Sequence, residues 1–584
     1  MIKGKIGKKL MKQFIAAGLL ISLAGTGIGG QEIAHAAERK PIKIDIVHGQ
    51  KHIKINGTTR TMSSPLPIVK GVTMIPIHTI AGVLGAKVYN DSKGTHIDTY
   101  LNKVTINANM RGANRNGSYV LMASPVLRIN GATYVPLSSV KQLWNGSYTF
   151  DPQLKLIQLT IIPDPNVSPV AGFTAPTEVK LGEPIMYEDL SYDPDGKIVK
   201  TDWTGRKNTY FEPGVYTVTQ TVYDNEGAFS ETKSQDINVI DEVMYTPFEY
   251  YMRYGNPGDR FKVDAALMNT YPYVQTSESK GLRTLYMSNA PERVFGEGLL
   301  YRDDLIGPNR LFIHHRNGSE ERLKLAVVVT NEQDESIKLT IGNRGLAGPS
   351  ANALQFGGAA VTRFLTPSVP RELIIEPGQS ISLLPEMEKM IMNPNEGFGG
   401  VADIDSDGLL TFTTMALKEF TDPVSVAFSL PELEKVGNRG TFPDADLYID
   451  VTEKVGLTEQ KLRLGSRGNS VVGMDALKKV MAMNGGEYGV VTTIRLKDVA
   501  YGTRIILNPR AGNYQGAVTV NGKVFSMPTG GHVNYTEGVL LYHQQKPEGA
   551  AAGAKPKEVT ITYTSPGASS LPILLVFLPG SSFE

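Results

Sequence analysis

The sequence predicts a mainly β, multidomain fold: a duplicated small α+β domain followed by a run of β-sandwich-like domains. Three observations carry this expectation. The chain has 584 residues, far more than one core usually holds. A short phrase recurs within it, as GVTMIPIHTI at residues 71–80 and GATYVPLSSV at 131–140. Beyond residue 162, alternating apolar runs are separated by turn residues, and the 60 Gly and 35 Pro fit many short strands joined by turns.

The first 36 residues stand apart. Lys3, Lys5, Lys8, Lys9 and Lys12 precede an apolar run from Phe14 to Leu23, and Ala34, His35 and Ala36 supply the small-x-small pattern of a cleavage site. The segment reads as a secretory signal peptide, so the mature chain is expected to be secreted or extracellular, with cell-wall association in one reading. No later segment reaches the roughly 20 apolar residues a membrane-spanning helix needs. The C-terminal LPILLVFLPGSSFE lacks the basic tail of a sortase-type anchor. Residues 1–36 hold five Lys and one Glu, so without them the 59 Lys+Arg and 58 Asp+Glu become 54 and 57. A chain so nearly neutral offers no electrostatic footprint for nucleic acid or anionic lipid. The absence of Cys removes disulfides, thiolate metal sites, a lipoprotein anchor and thiol catalysis together. Gly25, Gly27 and Gly30 satisfy GxGxxG, but they fall inside the signal segment with no βαβ unit around them.

The duplication spans residues 41–162 with a period of 60. Ser64, Pro65, Gly71, Thr73 and Pro76 recur as Ser124, Pro125, Gly131, Thr133 and Pro136, with apolar partners Ile75/Val135, Ile77/Leu137 and Ile80/Val140. Each half reads as a strand, a Gly turn, a short strand closed by Pro, a short helix such as Ile77 to Leu84, and a strand pair. Pro suits the end of a strand, where no ladder donor is lost. Asn56-Gly57, Pro76, the helix ending at Leu84-Gly85-Ala86 and the second copy around Pro136 resemble the copper amine oxidase N-terminal-like domain, or stalk domain, of secreted bacterial proteins. The resemblance does not extend to the oxidase. Those enzymes form their quinone from the Tyr of Thr-x-x-Asn-Tyr-Asp/Glu and bind copper through His-x-His and a distant His. Here Asn534-Tyr535 is flanked by Gly531 and Thr536 where Thr and an acid are needed, and no His-x-His occurs.

IPDPNVSP, residues 162–169, predicts a semi-extended Pro-rich linker. From 163 to 241 the chain resembles the PKD domain, an immunoglobulin-like β-sandwich. The resemblance is carried by Pro169-Val170-Ala171, Leu181-Gly182-Glu183, Asp193-Pro194-Asp195-Gly196, Trp203, Pro213-Gly214-Val215-Tyr216-Thr217-Val218, and Val222-Tyr223-Asp224 before Gly227. Asp-Pro-Asp-Gly is a turn for physical reasons: Pro fixes φ, Gly accepts positive φ, and Asp side chains cap the backbone. Trp203 is expected in the sandwich core, facing the alternating strand VYTVTQTVYD.

Residues 242–584 resemble no family. They are expected to divide near Asn393 into two sandwich-like domains, 242–392 and 393–584, with one larger domain as the alternative. Lys324 to Ile341 reads as two strands around a polar turn, and GVLLYH and EVTITYT, flanking QQKPEGAAAGAKPK, as another pair. Helices are expected at Ser350 to Phe364 and at Met474 to Met483, the latter stopped by Gly485-Gly486.

The sharpest chemical constellation is ADIDSDG. Asp403, Asp405 and Asp407 before Gly408 have the alternating oxygens a Ca2+ loop needs, although position twelve is Thr414 and not the Glu of an EF-hand. A solvated turn is the competing reading, here and at Asp193/Asp195. His314-His315, adjacent on an expected strand, point to opposite faces and cannot grip one ion together, so one is expected at the core edge and the other in water. Tyr250, Tyr251, Tyr254, Tyr271 and Tyr273 could stack sugar rings or pack a strand. There is no HExxH, GxSxG or GxxxxGK[ST]. A glycosidase needs only two carboxylates, which can come from anywhere in the chain. Two functions therefore stand: a non-catalytic surface protein binding cell-wall or other extracellular polysaccharide, or a surface protein; and a secreted polysaccharide-acting hydrolase with its acids in 242–584. No cofactor is required in either, apart from the Ca2+ loop.

Overall fold

The computed structural model describes residues 39–62, 65–433, 438–465, 471–546 and 558–583. The signal segment, the GxGxxG match, Ser64 and most of the QQKPEGAAAGAKPK loop lie outside them. The chain is mainly β and falls into two compact units, Met1–Glu242 and Val243–Glu584. Among the described residues no helix is long and apolar enough to cross a membrane.

In the first unit the duplication takes the form of exchanged strands. One five-stranded sheet runs Ser147–Asp151, Leu156–Ile161, Ile42–Val47, His52–Ile55, Thr58–Thr61; the other runs Ser118–Leu121, Gly112–Arg115, Lys103–Ile106, Gly94–Asp98, Lys87–Asp91. Each sheet therefore takes three strands from one copy and two from the other. A third sheet joins the copies about a local twofold: Ile75 pairs with Val135, its own counterpart, with Met74 opposite Pro136 and Pro76 opposite Tyr134. The turns repeat as well. Asn56-Gly57, Lys70-Gly71, Asn116-Gly117 and Asn130-Gly131 all have positive φ at both residues, as two-residue type I′ hairpins demand. The helix Ile77–Leu84 has the expected bounds and ends on Gly85, at φ 65°, whose N–H reaches the Ala81 carbonyl. Ile44, Ile75, Ile80 and Ile97 share one core with Val104, Val135, Leu143 and Trp144, so neither copy closes its core alone.

The linker is tied down on both sides. The Asp164 carboxylate accepts from Thr99, from the Leu101 N–H at 2.8 Å and from Asn102 Nδ2 at 2.7 Å. Asn166 Nδ2 donates to Asp224 at 2.6 Å, and Arg39 bridges to Glu226 at 2.6 Å and Asp195 at 3.1 Å. Beyond it, Glu178–Leu181, Lys233–Val243, Gly214–Asp224 and Ile198–Thr204 form a four-stranded sheet, and Phe173–Thr174 pairs with Glu188–Asp189. Trp203 packs edge-on against Phe173, with ring centroids 4.9 Å apart. Asp193 Oδ1 accepts the N–H groups of Asp195 at 3.2 Å and Gly196 at 3.0 Å, the Asp cap that Asp-Pro-Asp-Gly predicts, but Gly196 is not at the positive φ expected of it.

In the second unit a sandwich carries an insertion. Arg260–Lys262, Glu537–His543, Arg504–Pro509, Ile573–Leu578 and Gln460–Leu464 form one sheet in that order. Thr276–Lys280, Asp446–Val451, Val491–Leu496, Val559–Thr564, Gly516–Val520 and Lys523–Met527 form the other. Ile449, Ile494 and Ile561 meet Ile505, Leu575 and Phe577 in the shared core. After Lys280 the chain leaves, and it returns on the neighbouring strand, where Leu447 pairs with Lys280. The excursion builds a larger sheet on two long antiparallel strands, the 20-residue Gly298–Asn317 and the 22-residue Gly397–Lys418.

Several expectations are corrected by this pairing. A boundary near Asn393, giving domains 242–392 and 393–584, would sever Gly397–Lys418 from its partners Gly298–Asn317, Leu323–Thr330 and Ile337–Ser350. The last two strands do not form a hairpin; they lie along one edge of Gly397–Lys418, at opposite ends. GVLLYH and EVTITYT sit in different sheets of the sandwich. Met474 to Met483 is not helical: Val471–Asp475 and Val480–Asn484 form a hairpin, with Asp475 capping the N–H groups of Leu477 and Lys478 and Lys479 at φ 54°. The other helix is present as Ala353–Leu365, capped by Asn352. A helix at Pro247–Tyr254 was signalled by a capping box, Thr246 with Glu249 and Pro at its first position, inside a run read for its tyrosines.

Strand exchange makes each copy depend on the other. Expressed alone, residues 39–99 are expected to be unfolded, or to dimerise by trading strands, in far-UV circular dichroism and sedimentation, whereas residues 39–242 should sediment as a folded monomer. A folded monomer of 39–99 would contradict the exchange.

Candidate functional site

ADIDSDG lies inside the strand Gly397–Lys418 and not in a turn. Asp403, Asp405 and Asp407 project from one face, spaced about 6.6 Å from one to the next by strand rise, while Ile404 and Ser406 point inward and are buried. Gly408 serves packing: a Cβ there would lie 2.6 Å from Ile337 Cγ1. Asp403 is held by Arg310, whose Nε is 2.7 Å away, and Asp407 accepts the Lys338 N–H at 2.8 Å. The three carboxylates do not converge, and the calcium-loop expectation is corrected on that geometry. Among the described residues no group of three His, Asp or Glu is arranged to hold a metal ion, copper included.

Four buried or half-buried acids of the second unit, Asp403, Glu432, Asp446 and Asp475, meet guanidinium groups. Arg310 donates to Asp403, to Asp446 at 2.8 Å, and to the carbonyls of Ala445 and Gly489 at 2.9 and 3.2 Å. Arg283 adds a second contact to Asp446 at 3.2 Å. Arg439 bonds Asp475 at 3.0 Å and also Glu432. Burial pushes the Glu432 carboxyl up, but the hydrogen bonds from Arg439 and Lys478 outweigh it and hold the group below its usual range. A glycosidase general acid needs the opposite shift.

Both members of His314-His315 are buried, contrary to the expectation that one meets water. The His314 ring lies 4.7 Å from Phe356, and His315 Nε2 is 2.8 Å from Ser288 Oγ. Ser288 is only 1% exposed, so this Ser–His pair has no room for a substrate. Burial, aided by neighbouring His314, pushes the His315 pKa down to about 3. Most of the tyrosine cluster is core: Tyr251 stacks on Phe261 with centroids 5.5 Å apart, and Tyr251 and Tyr271 pack against Met252, Phe261 and Met268, beside the sheet. Tyr254 and Tyr273 remain exposed. Tyr535, of the Asn-Tyr pair, is exposed beside a turn in which Asn534 accepts from Thr536.

Two cavities contrast. In the second unit a pocket of about 240 Å³ is lined by the helix Ala353–Leu365 and by Gln515, Ser526 and Thr529, without a carboxylate. In the duplicated module a cleft of about 650 Å³ is lined by His48, Thr73, Ser138, Tyr148, Phe150 and Lys155, among others. The sequence held a sign of it: SYTFD is an alternating strand with its aromatics outward, at 42% exposure for Tyr148 and 55% for Phe150.

Residues 30–99 match the family of the copper amine oxidase N-terminal domain. The match spans one copy of the repeat. No curated protein matches the chain. Among solved structures, a carbohydrate-binding module of the β-sandwich superfamily is 16% identical, covering 43% of this chain and 97% of its own, with a TM-score of 0.13. A cupin 2 conserved barrel domain protein from Leptotrichia buccalis is 10% identical over 55% of this chain and 97% of its own, at 0.10. Tripeptidyl peptidase 2 is 8% identical over 70% of this chain and 37% of its own, at 0.12. With TM-scores this low, none of the three speaks to fold or ligand.

Two outcomes are expected. Melting in Ca2+ and in chelator should give one midpoint, and Asp405→Ala should change stability by no more than the ~0.5 kcal/mol of an ordinary surface substitution; a calcium-dependent midpoint lost in that variant would restore the loop. Between pH 6.5 and about 3 the unfolded chain carries a proton on His315 that the folded chain does not, so stability falls as pH falls. The slope from this group approaches about 1.4 kcal/mol per pH unit. His315→Gln should show a flatter decline in calorimetric scans from pH 7 to 4, the other acids being common to both proteins.

Proposed function

We propose that the chain is a non-catalytic secreted protein that acts at the bacterial cell envelope by binding glycan. Its copper amine oxidase N-terminal-like module, duplicated over 41–162, and a PKD-like sandwich over 163–241 precede the sandwich with its inserted sheet. The observation that carries the reading is the pairing of three acids in 243–584 with guanidinium groups. Asp475 is bonded by Arg439, and the half-buried Asp403 and Asp446 by Arg310, so these carboxylates fasten strands together and are not set facing each other across a cleft. A retaining or inverting glycosidase needs two carboxyl groups about 5–10 Å apart with solvent and sugar between them. The match of residues 30–99 supports the reading from the other end of the chain.

Incubating residues 37–584 with purified cell wall and insoluble polysaccharides should pellet the protein with no sustained release of reducing ends. Sustained release that disappears when one carboxylate in 243–584 is replaced would establish a hydrolase instead. Failure to pellet with any of them would remove the binding reading.

A further inference from the structure

We infer that the cleft in the duplicated module binds an acidic saccharide, whose pyranose ring lies on Tyr148 and Phe150 and whose carboxylate meets Lys155. The inference rests on the glycan-binding reading above and gives it a location. Alternation along Ser147–Asp151 puts Tyr148 and Phe150 on one face of an edge strand, and both rings stand open to solvent. A pyranose offers a face of C–H bonds that fits such rings, and hydroxyls at its rim that need polar partners. The walls supply these. Ser138 heads a helix without capping it through its side chain, and Thr73 lies beside it on the wall. His48 adds a ring whose Nε2 has no hydrogen-bond partner among the described residues. The volume, about 650 Å³, is in the range of small-molecule sites.

The charge of the lining selects among saccharides. Lys155 is exposed at the rim, pairs with no described carboxylate, and no Asp or Glu lines the cleft. A uronic acid complements it; a cationic sugar does not.

The duplication supplies an internal control. At the positions equivalent to Tyr148, Phe150, His48 and Ile68, the other copy has Val88, Asn90, Ala108 and Arg128. The hairpin beside the cleft also has a longer turn. Asp151 pairs with Leu156 across residues 152–155, whereas Asp91 pairs with Gly94 across 92–93, and the longer turn contributes Pro152 and Lys155 to the wall. One copy builds the same sheet without these features, so the fold does not require them.

The test is titration calorimetry of residues 37–584 with an oligogalacturonate and with the same oligomer fully methyl-esterified. The acid form should bind at least tenfold more tightly than the ester. Tyr148→Ala should weaken it at least tenfold, and Lys155→Ala should abolish the preference for the acid. Each variant should melt at the wild-type temperature, since each side chain is solvent-exposed. Absence of binding, equal affinity for acid and ester, or full affinity in a Tyr148→Ala/Phe150→Ala double variant would overturn the proposal. Pelleting separates it from the broader reading: if that double variant sediments with cell wall as the wild type does, the envelope role stands and the cleft is not its site. If the wild type itself fails to sediment while the oligomer binds, the cleft stands and the envelope role does not.

Discussion

Arg310 sits at the neck where the chain leaves the sandwich of the second unit and comes back to it. A guanidinium buried there is costly unless every donor direction is answered, because desolvation removes several kcal/mol that only close partners restore. The partners come from separate stretches of chain: Asp403 from the longest strand, Asp446 and the Ala445 carbonyl from the point of return, and the Gly489 carbonyl from the segment between Val480–Asn484 and Val491–Leu496. The ring of Phe364 lies 5.4 Å away. Removing any one partner leaves charge or a donor stranded out of water. The arrangement of inserted sheet on sandwich is thereby specified, since a different docking would bury the same charge without its carboxylates.

That constraint also explains what was legible in the sequence. The helix Ile77–Leu84, the Asp193 turn and the helix after Asn352 are set by residues within a few positions of one another, and local pattern revealed them. Strand partners are not local. Lys324 to Ile341 has the same alternation whether its two strands pair with each other or, as here, with Gly397–Lys418. A boundary near Asn393 holds only for contiguous domains, and nothing in composition marks an insertion whose ends meet at Lys280 and Leu447. Lys479 at φ 54° leaves no trace in residue type, so the hairpin and a helix are not distinguished by the sequence there.

The candidate sites show the same division. Asp-x-Asp-x-Asp fits a cation loop and equally the outer face of a strand, because the spacing of oxygens and the pleat share a period of two. Ile404 between the first two acids favoured the strand. Tyrosines in the run from Glu249 to Tyr273 form one patch in sequence, but a helix and the turns after it send most of them into the core. The outward pair on Ser147–Asp151 is not marked by composition, because two aromatics in five residues are ordinary in a strand. Only the twofold comparison with Val88 and Asn90 separates them from packing.

The exchange of strands in the first unit bears on what the duplicated module contributes to reach. Its first strand, Ile42–Val47, and its last, Leu156–Ile161, are hydrogen-bonded neighbours, with Ile42 opposite Ile161. Entrance and exit therefore stand about 5 Å apart, the spacing of adjacent strands. About 120 residues therefore separate two ends that lie side by side, so the module's first and last strands leave it from the same end of one sheet.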